Sequence, residues 1–180
     1  HVFRCDVSKR DEVEALAAFA EDKLGAVDLL VNNAGVGGGW KPLDALATDV
    51  ALDTYNVNAL GPVRVTLALL PHLARSAAPR VAHVSSGMGS IADNTSGGAY
   101  AYRMAKAALN MANKSMSVDL AGRGFVCVVM NPGWVRTDMG GEGAPLPVEV
   151  SAKNLLARID GFGPSDNGAF VNHDGRLFPY

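Results

Sequence analysis

Short apolar runs alternate with longer amphipathic stretches along this chain. The apolar runs lie at residues 2–7, 27–31, 80–84, 125–130 and 169–172. Residues 27–31 are almost continuously apolar, which is typical of a parallel strand that helices cover on both faces. Helix-period stretches lie between the apolar runs, at residues 10–24, 48–73, 100–120 and 150–159. The alternation predicts an α/β protein with a parallel sheet, built as a single domain over residues 1–180.

The long stretch at residues 48–73 is interrupted by Gly61 and Pro62. A proline inside a helix has no N–H for the carbonyl one turn before it, so the helix kinks there. Asn58 lies in that preceding turn and is a candidate for a special role. The alternative is that its amide only satisfies loose backbone groups.

Composition excludes several classes of function. The formal net charge is −2, and the basic residues are scattered rather than clustered, so neither nucleic-acid binding nor attachment to an anionic membrane is expected. No apolar run reaches the length of a membrane-spanning helix. Cys5 and Cys127 lie in separate apolar runs without a Cys-x-x-Cys pair. We expect reduced thiols, no metal site, and a soluble, cytoplasmic protein.

Polar or glycine-rich turns follow four of the predicted strands. They contain Asp6, residues 32–35, residues 85–86 and residues 131–133. Ligands of open parallel sheets lie outside the carboxyl ends of the strands. These turns are therefore predicted to line one binding site.

The helix predicted from residue 100 carries Tyr102 and Lys106, which are four apart and so share one face. An ammonium group beside a phenol favours the phenolate, so we expect Lys106 to lower the pKa of Tyr102 and make it an acid-base group near neutral pH. The spacing alone is a weak signal, because both residues also occur as ordinary surface side chains.

Taken together, these motifs resemble the short-chain dehydrogenase/reductase family. The matching segments are Asn32-Asn33-Ala34-Gly35, Asn58 in its Val-Asn-Ala-Leu-Gly context, Ser86, the Tyr102–Lys106 pair and residues 131–137. The sequences at residues 88–91, 102–103 and 138–139 are most similar to the C-factor-like branch, which also contains carbonyl reductases. The resemblance implies a Rossmann-type, doubly wound sheet and an oxidoreductase that interconverts a carbonyl and an alcohol.

The resemblance also implies a role for each catalytic side chain. Ser86 would hydrogen-bond the substrate oxygen, and Tyr102 would donate or accept the proton during hydride transfer. Lys106 would lower the Tyr102 pKa and bind the nicotinamide ribose. Asn58 would hold a water that links the site to solvent. Ser86 has a simpler alternative as a turn residue, since Ser and Gly favour turns.

By the same resemblance the cofactor is NAD(P)(H), with NADP(H) slightly favoured. The implied cofactor-binding residues are Asp6, Val7, Asn32, Ala34, Gly35, Tyr102, Lys106, Pro132, Gly133, Trp134, Val135 and Thr137. The irregular segment 134–147 would close over a small-molecule carbonyl or alcohol substrate. A homodimer is also implied. His83, in a predicted strand, is expected to be a hydrogen-bonded core residue.

The sequence departs from the family pattern in its glycine-rich phosphate turn. No Gly-x-x-x-Gly-x-Gly segment is present, and the first predicted strand corresponds to the third strand of the family. The resemblance implies the strand order 3-2-1-4-5-6-7, in which loss of the first two strands separates residues 2–7 from the sheet and leaves one edge of residues 27–31 unpaired. We therefore expect a longer native chain, with roughly 50 to 70 further N-terminal residues. The alternative is a non-catalytic signalling or interaction protein on a truncated reductase scaffold.

Overall fold

Four parallel strands form one sheet at the centre of the molecule. The computed structural model describes residues 1–180. The strands are β1 (Leu29–Asn32), β2 (Arg80–Val84), β3 (Val126–Asn131) and β4 (Phe170–Asn172), and they lie side by side in that order. Leu29 pairs with Arg80, Arg80 with Val126, and Val129 with Phe170. The predicted parallel α/β sheet is confirmed.

The chain has five α-helices, one before β1 and four in the connections between strands. They are α1 (Arg10–Lys23), α2 (Thr48–Tyr55), α3 (Gly61–Leu73), α4 (Tyr100–Asp119) and α5 (Val148–Gly161). None of the helices is both long enough and apolar enough to cross a membrane. Each helix lies within a few residues of its predicted position, because its apolar face recurs at the helical period.

The core lies on both faces of the sheet. On one face Val81 and Cys127 pack with Val65 and Leu69 of α3 and with apolar residues of α1. On the other face Ala82, Val128 and Met130 pack with Ile159 of α5. Successive strand residues point to opposite faces, so the continuous apolar runs supply both cores at once.

The prediction of a strand at residues 2–7 is wrong. Residues 2–6 pair with no strand, and Leu29–Asn32 forms the edge of the sheet. A predicted strand needs a neighbour to complete its hydrogen bonds, and none lies beside this segment. The expected separation of residues 2–7 from the sheet is thereby confirmed. A groove of about 360 Å³ runs along the unpaired edge, between the sheet, α1 and α3, and its lining is mostly apolar.

A π-helical turn, Asn56–Leu60, separates α2 from α3. The backbone N–H of Gly61 donates to the carbonyl of Asn56, five residues back. Pro62, which has no N–H, cannot donate to the carbonyl of Asn58 four residues before it. The predicted interruption is therefore real, and its form is a widened turn that places Asn58 at the end of the sheet.

Candidate active site

A cleft of about 1180 Å³ opens at the carboxyl ends of the strands. Ser86, Tyr102 and Lys106 line it together. Its further wall comes from the turn after β3, whose contributing residues are Asn131, Pro132, Gly133, Trp134, Val135 and Thr137. Side chains that are far apart in the sequence thus converge at the edge that the strand ends predict.

Tyr102 lies in the first turn of α4 with only 7% of its surface exposed. Burial raises the pKa of its phenol, and a hydrogen bond with the Ser86 side chain acts in the opposite direction. The predicted lowering of this pKa by Lys106 is therefore wrong for the protein without ligands. Desolvation of the phenolate is the larger effect, and at neutral pH the phenol keeps its proton.

Lys106 lies one turn further along α4 and is 4% exposed. Its Nζ donates to the carbonyl of Val84 over 2.8 Å and lies 5.7 Å from the centroid of the Tyr102 ring. Burial lowers the pKa of the ammonium to about 8. An ammonium has three donors, and the bond to Val84 uses one of them. Lys106 is thus a partly desolvated cation with N–H groups available at the cleft.

Ser86 follows β2 in extended conformation and begins a short 3₁₀ turn, Gly87–Gly89. Its Oγ accepts from the backbone N–H of Met88 at 3.1 Å, which is a turn bond of the kind that the simpler interpretation predicts. The same hydroxyl lines the cleft together with Tyr102 and acts to lower the pKa of its phenol. A hydroxyl that accepts from a backbone N–H still has its own proton to donate.

The turn formed by Ser86 and Gly87–Gly89, called the serine turn below, is held against α4 by Ser85 and Asn110. The Ser85 hydroxyl donates to Asn110 Oδ1 at 2.6 Å, and Asn110 Nδ2 donates to the carbonyl of Gly89 at 3.2 Å. A Cβ on Gly89 would come within 2.8 Å of the Lys106 backbone. The absence of a side chain there lets the turn lie directly against α4, which sets the spacing between the serine and the Tyr102–Lys106 pair.

Asn58 is fully buried, and the oxygen and the nitrogen of its side-chain amide both hydrogen-bond to the backbone of Val36. Val36 N–H donates to Asn58 Oδ1 at 2.8 Å, and Asn58 Nδ2 donates to the Val36 carbonyl at 2.7 Å. The structure thus shows the side chain satisfying backbone groups of the loop after β1, as the simpler interpretation predicts. The predicted role in holding a water stays a prediction.

Asn131 links the two walls of the cleft. Its Oδ1 accepts from the backbone N–H of Gly87 at 3.0 Å and from that of Gly133 at 3.2 Å, and its Nδ2 donates to Asn172 Oδ1 at 2.9 Å. One buried amide therefore fixes the serine turn relative to the turn after β3. Gly133 has φ of +83°, a conformation that favours glycine.

Four predicted cofactor residues lie outside the cleft. Asp6 is exposed, and its Oδ1 accepts from the backbone and hydroxyl of Ser8, which lowers its pKa. Val7, Asn32 and Ala34 line the apolar groove instead. These four assignments stay predictions, since within residues 1–180 none of the four side chains meets the Tyr102 site.

The Asn32 side chain forms part of the core rather than the cleft. Its Nδ2 is 3.1 Å from Thr66 Oγ1 and 3.2 Å from His83 Nδ1. His83 is fully buried, and burial lowers its pKa to about 4. The neutral ring is the hydrogen-bonded core histidine that we expected.

The cleft fits the nicotinamide end of a dinucleotide. Gly35 lies beside Lys106, and a Cβ there would stand 3.8 Å from Lys106 Nζ, so the missing side chain leaves room next to free N–H donors. Val135 and Thr137 line the same space. No glycine-rich turn in residues 1–180 leads from a strand directly into a helix as a diphosphate site would require. The residues that fit are those for the nicotinamide and its ribose.

Several residues of the site were not predicted from the sequence, among them Trp40, Arg103, Phe178 and Asn110. Trp40, Arg103 and Phe178 line the cleft, and Asn110 holds the serine turn. A single Trp in a glycine-rich loop and an Asn on a helix carry no periodic signal. The position of Asn110, four residues after Lys106 on the same face of α4, is the one clue that was available.

Comparison with known proteins assigns the family. The family model for short chain dehydrogenases matches residues 1–145. The C-signal protein of Myxococcus xanthus is 55% identical over 157 residues, which cover 87% of this chain and 94% of that protein.

Solved structures have the same fold. The carbonyl reductase Sniffer of D. melanogaster superposes with a TM-score of 0.96 at 37% identity, over all of this chain and 78% of that one. An NADPH-bound carbonyl reductase from chicken fatty liver gives a TM-score of 0.94 at 30% identity, over all of this chain and 77% of that one. The resemblance inferred from the motifs is confirmed: the chain belongs to the short-chain dehydrogenase/reductase family of NAD(P)-dependent oxidoreductases, in its carbonyl-reductase-like branch.

Proposed function

We propose that this protein reduces a carbonyl substrate to an alcohol with NADPH, and that Tyr102 is the proton donor. The observation that carries the proposal is the convergence of Ser86, Tyr102 and Lys106 on one cleft, with Tyr102 and Lys106 almost completely buried. Burial strengthens the electrostatic effect of these groups on a reacting oxygen.

Each side chain has a distinct task. The cleft residues would hold the nicotinamide end of NADPH, which would supply the hydride for the carbonyl carbon. The Ser86 hydroxyl donates a hydrogen bond to the carbonyl oxygen and orients it. Tyr102 gives its proton to that oxygen as the negative charge develops, and the raised pKa ensures that the phenol carries this proton at neutral pH. Lys106 binds the ribose hydroxyls through its free N–H groups and stabilises the resulting phenolate.

The chain's two tryptophans provide a direct binding assay. Trp40 and Trp134 both line the cleft, so bound NADPH should quench their emission by energy transfer to its reduced nicotinamide. NADPH is expected to bind more tightly than NADH, in line with the NADPH-bound chicken reductase and an NADP-bound short-chain dehydrogenase/reductase from Burkholderia multivorans. Absence of quenching by either dinucleotide would refute the proposal.

Tyr102→Phe tests the proton donor. The variant keeps the ring and its packing, so NADPH binding should persist while carbonyl reduction falls about 10²- to 10⁴-fold, the usual contribution of a general acid. Tyr55→Phe, at a half-exposed tyrosine of α2, is the matched control and should behave as the wild type. Full reduction by Tyr102→Phe would exclude the phenol as the donor.

The name of the Myxococcus relative favours a second candidate, a signalling role without catalysis. The doubly substituted Tyr102→Phe, Lys106→Ala protein separates the two. If it replaces C-signal in a Myxococcus xanthus strain that lacks its own, as well as the wild-type protein does, the signalling role needs no catalysis. Loss of that ability, with the fold intact by circular dichroism, would contradict the non-catalytic role.

We also propose a homodimer through α3 and α4. Leu67 on α3 and Met104, Met111 and Val118 on α4 are large apolar side chains that are about half or more exposed. The three α4 residues recur at helical spacing on one side of that helix, as an interface would require. Met111→Glu should shift the mass measured by light scattering from dimer to monomer, while the exposed Leu177→Glu should not.

A further inference from the structure

Trp40 stands over the proton donor. Its ring meets the Tyr102 ring edge-on, with centroids 5.4 Å apart and planes at 63°. Tyr102 is buried, whereas Trp40 is 55% exposed and lines the cleft. An indole held at a cleft wall with half of its surface uncovered offers an apolar, polarisable face to whatever enters.

The segment that carries Trp40 is fixed at both ends. Val36, at one end, is held by the two hydrogen bonds from Asn58. Lys41, at the other end, accepts a 3.1 Å hydrogen bond from the N–H of Ala99, the residue directly before α4. Ala99 is the one non-glycine residue with positive φ, at +48°, a strained conformation of the kind that the surrounding structure must impose. The position of the indole is thus tied to the helix that carries Tyr102.

Between these two ends lie three glycines and Trp40 itself. A Cβ on Gly37 would touch Met139 at 3.7 Å on one side and the Trp40 ring at 3.9 Å on the other. The loop after β1 therefore reaches the loop after β3 across the cleft. Trp40 and Met139 are apolar lining residues of the cleft that also contains the Ser86 hydroxyl and the Lys106 ammonium.

We propose that Trp40 is the specificity-determining residue, and that it selects carbonyl compounds with a planar aromatic group attached to the C=O. The proposal rests on the carbonyl-reductase function above. A carbonyl oxygen placed at Tyr102 and Ser86 puts its substituents next to the Tyr102 ring, where the indole can meet an aromatic group in an offset or edge-to-face arrangement. A carbonyl compound with small aliphatic substituents has no aromatic ring to pack against the indole, so Trp40 adds little to its binding.

The kinetic test compares acetophenone with 2-butanone in three proteins. Trp40→Ala should lower the ratio of kcat/KM for acetophenone to kcat/KM for 2-butanone about five- to tenfold, the effect of one aromatic pair. Trp40→Phe should retain most of the acetophenone activity. An equal change for both ketones in Trp40→Ala would overturn the proposal while leaving the reductase function in place. If the wild type binds NADPH and reduces neither ketone, the reductase function fails first.

A binding test is independent of turnover. In Trp134→Phe the one remaining tryptophan is Trp40, so its emission reports directly on its surroundings. Titration with the product alcohol 1-phenylethanol should change that emission and saturate, and 2-butanol at equal concentration should not change it. No response to 1-phenylethanol, or the same response to both alcohols, would contradict the contact whether or not the protein turns over.

Discussion

Replacement of Lys106 by methionine should stabilise the protein while weakening its site. The pKa of Lys106 falls from an ordinary 10.5 to about 8 on burial. Each tenfold change in an equilibrium is worth about 1.4 kcal/mol, so keeping the ammonium charged at neutral pH costs roughly 3 kcal/mol of stability. Methionine removes that cost and loses the bond to the Val84 carbonyl, worth about 1 kcal/mol. The net gain is about 2 kcal/mol.

The gain should depend on pH. Below about pH 8 the lysine is charged in both the folded and the unfolded chain, and the full cost is present. Between about pH 8 and 10.5 the folded protein releases the proton that the unfolded chain still binds, so wild-type stability rises with pH relative to the variant. At about pH 9.5 the advantage of Lys106→Met should fall below about 1 kcal/mol.

Urea unfolding followed by circular dichroism at about pH 7 and about pH 9.5 measures both values. Lys153→Met, at an exposed lysine of α5, is the control and should show little change at either pH. NADPH affinity should fall in Lys106→Met alone. A variant less stable than the wild type at neutral pH, or a stability difference that does not change with pH, would refute the reasoning.

Three other substitutions test the supports of the site. Ala99→Gly relieves a positive φ and should raise the free energy of unfolding by about 0.5–1 kcal/mol; a lower melting temperature would contradict this. Asn58→Ala removes two buried hydrogen bonds to Val36 and should cost about 2–3 kcal/mol in urea titrations; a loss below about 0.5 kcal/mol would contradict the anchoring role. Gly35→Ala puts a Cβ 3.3 Å from Asn58 Oδ1, and this overpacking should cost about 1–3 kcal/mol. The quenching assay should then show about tenfold weaker NADPH binding. An unchanged affinity would exclude a close approach of the cofactor to the Gly35 backbone.

The fold was largely predictable because its two central strands, β2 and β3, are buried on both faces. Residues 125–130 are continuously apolar and residues 80–84 are apolar at three of five positions, and these short runs lie within one residue of β3 and β2. Residues 2–7 have the same local pattern and form no strand. Strand formation depends on a neighbour that supplies hydrogen bonds, and a local pattern cannot report whether that neighbour is present.

The residues of the candidate site were easier to predict from the sequence than their burial, side-chain directions and pKa shifts. Ser86, Tyr102 and Lys106 follow from strand ends and helical spacing, and the cleft brings them together. The direction of the Tyr102 pKa shift was predicted wrongly, because the sequence shows a neighbouring cation and does not show how deeply the phenol is buried. The directions of the Asn32 and Asn58 side chains likewise depend on packing.

The π-helical turn Asn56–Leu60 has a consequence for how insertions and deletions are tolerated. Each residue of a regular α-helix turns about 100°, so Asn58 and Val65, seven apart, would share one face of an unbroken helix. The wider turn rotates them apart: Asn58 binds Val36, while Val65 packs in the core on the sheet. Deleting one residue of this turn between them would leave the two six apart, about 240° around a regular helix, so the amide and Val65 would still point in different directions. The turn therefore acts as a built-in shift of one residue in the helical phase, and a one-residue deletion there should disturb the packing less than a one-residue deletion inside α3, which would rotate every following residue by about 100°.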